Sequence, residues 1–167
     1  MPSEWQGEAC VLSAVLRTDV LVVGAGGAGC RAAYEALRAG SHVTLLLKGK
    51  LGSSGATAYK VQDAAAFQAA TGEGDPSDSP QAHFNDIMAA GLGVCDPRLA
   101  TILAEEAPAL YRDLTALGLP WIRNESGRPF MFSGAFTKTL RAYRMPDHAR
   151  PIVDVLGREL RRLGCSI

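Results

Sequence analysis

The sequence predicts an α/β fold with a parallel sheet, and three neighbouring segments carry this prediction. Residues 20–23 and 43–47 are short runs of β-branched residues and leucine, typical of strands that are buried on both faces of a parallel sheet. Between them, residues 28–37 have the small and apolar residues of a packed helix, and Gly40 is a suitable stop. Strand, helix and strand in this order predict one right-handed βαβ unit.

The first predicted strand leads directly into a glycine-rich turn with the spacing G-x-G-x-x-G. In this pattern the first glycine makes a tight turn, the second lets a pyrophosphate approach the backbone, and the third lets the helix pack closely on the strand. The helix N-terminus also presents free N–H groups and its positive dipole end to an anion. The sequence therefore predicts a Rossmann-like dinucleotide site formed by Gly24, Ala25, Gly26, Gly27, Ala28 and Gly29.

A second glycine- and hydroxyl-rich loop, residues 49–58, follows the second predicted strand. Its flexible backbone and its Ser and Thr hydroxyls suit a polar, extended ligand. The strand itself ends at Leu47 and Lys48, without the acidic residue that binds the ribose hydroxyls of NAD in many dinucleotide sites. This weakens a plain NAD site, while a basic residue at this place leaves NADP open.

Composition limits the other classes of function. Lysine plus arginine and aspartate plus glutamate are balanced at 17 each, so no overall charge attracts nucleic acid or an anionic membrane. The four cysteines (Cys10, Cys30, Cys95 and Cys165) are widely separated and show no zinc-ligand spacing, which predicts free thiols and no metal site. With no signal-peptide pattern and no membrane-length apolar run, we expect a cytoplasmic protein.

The remaining helices are predicted from capping residues and apolar periodicity. A short helix is expected over 61–70, and a second over 80–90 with Ser79 as its N-cap. Residues 97–117 have a helical pattern that Pro108 is expected to divide into two segments. The last helix is expected over 151–163, with Ile152, Leu156, Leu160 and Leu163 on one face.

The extended and irregular segments complete the prediction. Residues 119–122 and 128–132 are expected to be short strands or extended pieces, and residues 165–167 the beginning of a further strand. The basic segment 133–150 is interpreted as an irregular loop, either solvated or lining the pocket of an anionic ligand. Residues 1–17 are expected to be a leader whose apolar piece, 11–16, suits an edge strand.

Several segments resemble those of one enzyme family. Arg141 and Asp147 keep the spacing of an arginine and an aspartate in that family's H-R-x5-D segment, with Leu140 in the place of the histidine. The other segments are Val-Val-Gly-Ala-Gly-Gly-Ala-Gly at 22–29, Ala-Gly-Leu-Gly-Val-Cys-Asp at 90–96, Glu-Ala-Pro-Ala-Leu at 106–110 and Leu-Gly-Leu-Pro at 117–120. From about residue 18 to 167 the chain resembles the N-terminal part of the flavoprotein subunits of succinate dehydrogenase and fumarate reductase, a family that includes L-aspartate oxidase.

This resemblance implies an FAD cofactor, with its ADP pyrophosphate on the turn Gly24–Gly29 and its flavin side held by the second loop. The loop residues implied on the flavin side are Lys48, Gly52, Ser53, Ser54, Gly55, Ala56 and Thr57, and Leu47 at the end of the strand is a further implied cofactor-binding residue. Respiratory members of the family carry FAD covalently on a histidine in this loop, and Gly55 occupies the corresponding place. The resemblance therefore implies that FAD is bound non-covalently.

Two further departures from the family pattern concern the flavin ring and the length. The Gln-Gly-Gly that touches the flavin ring in those relatives is not matched, because residues 62–64 are Gln-Asp-Ala. The family is several times longer, and its capping domain, its substrate-binding residues and its catalytic arginine have no counterpart here. We therefore expect residues 18–167 to be the N-terminal portion of an FAD-binding domain, incomplete relative to the family.

The implied function is the FAD-binding portion of a flavin-dependent oxidoreductase of the succinate, fumarate and aspartate class. The remainder of the flavoprotein or a partner subunit is the expected partner, and a small carboxylate the expected substrate. Two alternatives stay open at this point: an NAD(P)-binding Rossmann module, and a non-catalytic truncated or interaction subunit. No catalytic residue is predicted, because His83 and His148 lack an evident orienting partner, and Arg141, Arg144 and Arg150 are only candidate cations beside a ligand.

Overall fold

The computed structural model describes residues 15–53, 55–58, 66–134 and 136–167. In chain order the elements are β1 Val20–Val23, α1 Gly27–Arg38, β2 Val43–Leu46, β3 Ala66–Gln68, α2 Pro80–Ala90, α3 Pro97–Ala116, β4 Met131–Ser133, β5 Leu140–Arg144 and α4 Arg150–Arg162. Most of the predicted leader, including most of its apolar piece, lies outside these described residues.

The first sheet is parallel and contains the predicted βαβ unit. β1 and β2 are neighbours with Val20 opposite Val43, and α1 connects them. On the other side of β2, the Ser166 N–H donates to the Val43 carbonyl oxygen (3.1 Å), and the Leu45 N–H donates to the Ser166 carbonyl oxygen (2.7 Å). The beginning of a strand predicted at 165–167 is present as a single parallel bridge between Ser166 and Thr44 of β2.

One face of this sheet is covered by α1, which in turn packs on α4. α1 packs on β1, β2 and α4, and α4 buries Leu156 and Leu160 as its predicted apolar face required. Leu21, Val23 and Leu46 alternate to the other face of the sheet and are each more than half exposed. The carboxyl ends of β1 and β2, where the two glycine-rich loops begin, lie side by side.

The second sheet is antiparallel, with the strand order β3-β5-β4. Two of its strands lie where the sequence predicted a helix and a loop. The helix expected over 61–70 is wrong at Ala66–Gln68, which forms β3, while residues 61–65 lie outside the described part of the chain. The irregular basic loop expected over 133–150 is also wrong, because β5 is the central strand of this sheet and buries three consecutive residues, Arg141, Ala142 and Tyr143.

The two middle helices begin at the predicted caps. The Ser79 hydroxyl accepts the Ala82 N–H at 3.1 Å, and an Asp96 carboxylate oxygen accepts the Arg98 N–H at 2.8 Å. The division of α3 at Pro108 is wrong, because one helix runs from Pro97 to Ala116. Proline has no N–H, so α3 loses one backbone hydrogen bond at Pro108. Burial of Pro108 together with other residues of α3 offsets this loss. The other buried residues are Ala100, Ala104, Ala107, Tyr111 and Leu114.

An aromatic cluster joins α3 to the second sheet. Tyr111 stacks on Tyr143 with ring centroids 4.0 Å apart, and Trp121 packs beside both rings. The Trp121 indole N–H donates to the Thr115 hydroxyl at 2.8 Å, so its polar atom is satisfied.

Within the described ranges, no helix combines the length and the apolar character that a membrane crossing requires.

Candidate functional site

The turn between β1 and α1 has the close packing that its third glycine predicts. A Cβ on Gly29 would stand 1.9 Å from the carbonyl oxygen of Gly24 and 3.0 Å from its carbonyl carbon. No side chain fits there, so only glycine lets the first turn of α1 lie against the end of β1. Gly24 itself has φ +102°, a conformation that favours glycine, and its N–H donates to the Leu46 carbonyl oxygen at 2.8 Å.

The start of α1 is open to an anion. Gly26 is the N-cap and supplies no side-chain hydrogen bond, and the first turn contains no acidic residue. The first backbone N–H groups of a helix lack intrahelical partners, and the helix dipole is positive at this end. Among the described residues, a Cβ on Gly26 would have only the Thr57 Oγ1 within 4 Å, at 3.7 Å, and no backbone atom.

The second loop lies against this turn. The Thr57 Oγ1 accepts the Gly27 N–H at 3.1 Å, across 30 residues of sequence. At the beginning of the loop, the Lys50 carbonyl oxygen accepts both the Ser53 N–H (3.1 Å) and the Ser53 hydroxyl (2.6 Å), which forms a tight turn around Gly52. The two predicted loops therefore meet at one edge of the sheet, as expected for loops that follow adjacent parallel strands.

Individual loop residues differ in exposure. Leu47 and Thr57 are half-buried and Gly52 is buried, whereas Lys48, Ser53, Gly55 and Ala56 are exposed. Ser54, predicted with them, lies outside the described residues. The exposed members are small or polar, which suits an extended ligand along the sheet edge.

Cys30 lies beneath the glycine turn as the predicted free thiol. Its side chain is fully buried, and its Sγ donates to the Ala25 carbonyl oxygen at 3.5 Å. Burial raises the pKa of the Cys30 thiol to about 11, with a smaller contribution from Cys165. At neutral pH this thiol is protonated and packs as an apolar side chain, so it supplies no nucleophile to the site.

Sequence reasoning missed a buried ion cluster around Arg141. The guanidinium is fully buried, and its Nη2 lies 2.8 Å from Asp78 Oδ1 and 2.9 Å from Asp86 Oδ2. Burial raises the pKa of Asp78, and Arg141 partly opposes this rise. His83 is also buried, and its pKa is lowered first by burial and then by Arg141. Arg141 is therefore a structural cation tied to two carboxylates.

The other two candidate cations, unlike Arg141, lie at the surface. Arg144 is exposed at the end of β5, and Arg150 contacts Asp154 at 3.4 Å and Asp147 at 3.9 Å.

Two larger cavities in the described part of the chain lie away from the glycine turn. One, of about 670 Å³, lies beside Glu73, Arg128 and Phe130, and another, of about 520 Å³, lies between α2, α3 and β3. Neither is lined by residues 24–29, 47–53 or 55–57.

Comparison with known proteins identifies the class. The family described as "FAD binding domain" matches residues 19–167. This is nearly the whole chain, and the chain belongs to this family of FAD-binding domains.

Its relatives are flavoproteins of the succinate dehydrogenase, fumarate reductase and L-aspartate oxidase group. The chain is 42% identical over 122 residues to one subunit of the fumarate reductase (CoM/CoB) of Methanothermobacter marburgensis, covering 71% of this chain and 22% of that protein. It is 39% identical over 103 residues to L-aspartate oxidase of Caulobacter vibrioides, covering 62% and 19%. Among solved structures, the Mycobacterium smegmatis Sdh1 complex in the apo form matches with a TM-score of 0.78 and 29% identity, covering 87% of this chain and 24% of that chain.

These matches confirm the FAD-binding prediction and the α/β fold, and they fit neither the nicotinamide module nor the interaction-subunit alternative. The chain spans about a fifth to a quarter of the length of these relatives. Two of them are named as a subunit or as part of a complex.

Proposed function

We propose that the chain binds FAD non-covalently for an oxidoreductase that acts on small dicarboxylates of the succinate, fumarate and aspartate type. The observation that carries the proposal is the hydrogen bond from the Gly27 N–H to Thr57 Oγ1, which brings the two predicted cofactor loops together. FAD, when bound, supplies hydride exchange with a carbon next to a carboxylate.

The residues present fit the pyrophosphate of FAD. The first turn of α1 contains no acidic residue, and the N-terminal end of this helix directly follows the glycines. In this proposal, the backbone of Gly24, Ala25, Gly26, Gly27, Ala28 and Gly29 holds the pyrophosphate. The flavin side follows the second loop, along Leu47, Lys48, Gly52, Ser53, Ser54, Gly55, Ala56 and Thr57.

The wider organisation is part of the same proposal. Residues 18–167 form the N-terminal portion of the FAD-binding domain, preceded by a leader at 1–17. The rest of the flavoprotein or a partner subunit supplies the substrate-binding residues, in line with the names of the relatives. The free thiols of Cys30, Cys95 and Cys165 suit the reducing cytoplasm.

The substrate class is tested on the flavoprotein isolated at its natural length, with any subunit that co-purifies. We expect succinate or L-aspartate to bleach the oxidised flavin band under anaerobic conditions, and fumarate to restore it. Propionate, which lacks the second carboxylate, is the matched control and is expected to leave the band unchanged. A flavin that dithionite reduces but that none of the dicarboxylates reduces would contradict the substrate class and leave the FAD site standing.

The mode of attachment is tested by acid precipitation. Gly55 has no side chain that could form a covalent bond to the flavin, so we expect all the FAD to appear in the supernatant after trichloroacetic acid treatment. Chromatography of the supernatant distinguishes FAD from FMN. Yellow colour that stays with the precipitated protein would show a covalent link and overturn non-covalent binding.

A further inference from the structure

Gly157 lies in the interior of α4, where glycine destabilises a helix relative to alanine. The neighbouring side chain of Leu51 explains why a glycine stands at this position. A Cβ at this position would stand 2.7 Å from Leu51 Cδ2 and 3.3 Å from Leu51 Cγ. The missing side chain therefore leaves a notch on α4, and the side chain of Leu51 fills it.

Leu51 belongs to the turn that begins the second cofactor loop. It is half-buried and packs against the main core. The next residue, Gly52, is buried with φ +77°, and a Cβ on it would lie 3.0 Å from Asp154 Oδ1. Asp154 and Gly157 are three residues apart, so they lie on the same face of α4. One face of α4 thus contacts two consecutive residues of the turn.

The far end of the same loop is held by α1. Thr57 Oγ1 accepts the Gly27 N–H at the helix N-terminus, and α1 packs directly on α4. Two helices that pack together therefore fix the loop at both ends. The contacts at the α4 end are van der Waals contacts, which depend on shape and are lost when either partner changes size.

We propose that Gly157 is a positioning residue for FAD: by accepting Leu51 into its notch, it holds the flavin-side loop in the geometry that binds the cofactor. This inference rests on the FAD site proposed above. Gly157 does not line that site, and its effect passes through Leu51 and Gly52.

A double-mutant cycle measures the coupling between the two residues. FAD is titrated into the apoprotein of the natural-length chain for the wild type, Gly157→Ala, Leu51→Ala and the double variant. We expect Gly157→Ala to weaken FAD binding about tenfold, because the new methyl group displaces Leu51 and the turn. In the Leu51→Ala background the same change is expected to have almost no further effect, since nothing remains to be displaced.

A control on the same helix separates positioning from general stability. Val155 is buried and lies two residues from Gly157, so it points away from the face that Leu51 contacts. Val155→Ala creates a cavity there and is expected to lower the unfolding midpoint while leaving the FAD dissociation constant unchanged. If Gly157→Ala does not fold, Leu51→Ala alone tests the inference, with weaker FAD binding and a smaller midpoint change than Val155→Ala.

Two results would overturn the inference. One is an equal effect of Gly157→Ala with and without Leu51, and the other is unchanged FAD affinity in Leu51→Ala. A wild-type apoprotein that binds no FAD would instead contradict the proposed function, so the two failures are distinguishable.

Discussion

Replacing Arg141 by methionine is expected to destabilise the protein by about 3–5 kcal/mol. The methionine fills much of the space but leaves Asp78, whose side chain is 1% exposed, without its cationic partner. A buried carboxylate that loses its counter-charge keeps the cost of leaving water and loses the attraction that offset it. The shift in the denaturant midpoint, compared with the wild type, measures the effect.

The pH dependence of this loss identifies its cause. The pKa of Asp78 is raised in the folded protein, so this group favours folding when protonated, and the contribution is lost as the pH rises through the folded pKa. Removing Arg141 takes away an interaction that lowers this pKa. The deficit is therefore expected to be largest at neutral pH and to shrink in acid.

Arg98→Met is the matched control for Arg141→Met. Arg98 forms an ion pair with Asp96 at 3.0 Å, but the two side chains are 87% and 36% exposed, and solvent screens the interaction. We expect its unfolding midpoint to stay at the wild-type value. An Arg141→Met protein with an unchanged midpoint would show that the buried cluster is not a source of stability.

The parts of the fold that depend on neighbouring residues could be predicted from the sequence. Ser79 and Asp96 cap their helices within two or three residues of themselves, and the glycine turn follows its strand directly. The steric reason for Gly29 also follows from the motif, because the contact is with Gly24, five residues earlier. In these cases, short sequence distance and simple geometry determine the structure.

The parts that depend on distant residues could not be predicted in the same way. Arg141 suggests a solvated loop until Asp78, 63 residues away, is placed beside it, and only then does a charged residue suit the middle of β5. Pro108 suggests a helix break until the burial of its neighbours on α3 is known. Both errors arise because tertiary packing outweighs a local preference.

The candidate site shows the same division. Both loops could be predicted from their glycines and hydroxyls, but the bond between Gly27 and Thr57 depends on how the loops fold together. The contact between α4 and the second loop is indicated in the sequence only by Gly157, a glycine inside a helical pattern. The contact with Leu51 shows what that signal means.

Two glycines of the motif are expected to respond differently to substitution. Gly29→Ala places a Cβ 1.9 Å from a backbone oxygen, so we expect a loss of about 1–3 kcal/mol of stability together with loss of flavin. Gly26→Val introduces its Cβ where the nearest atom of the described residues is Thr57 Oγ1 at 3.7 Å, on a backbone with φ −78° and ψ −173° that valine accepts. The apoprotein is therefore expected to stay folded and to lose at most about 1 kcal/mol of stability, because valine is a poorer N-cap than glycine. The new side chain occupies the space for the pyrophosphate.

The flavin content of Gly26→Val is the most direct test of FAD binding at the turn Gly24–Gly29. We expect the purified variant to retain about a tenth or less of the wild-type flavin, a loss of at least ~1.4 kcal/mol in binding, with the helix content of the wild-type apoprotein. Gly29→Ala, which loses both flavin and stability, is the contrasting control. A folded Gly26→Val protein with full flavin occupancy would place the FAD elsewhere and contradict the proposed site.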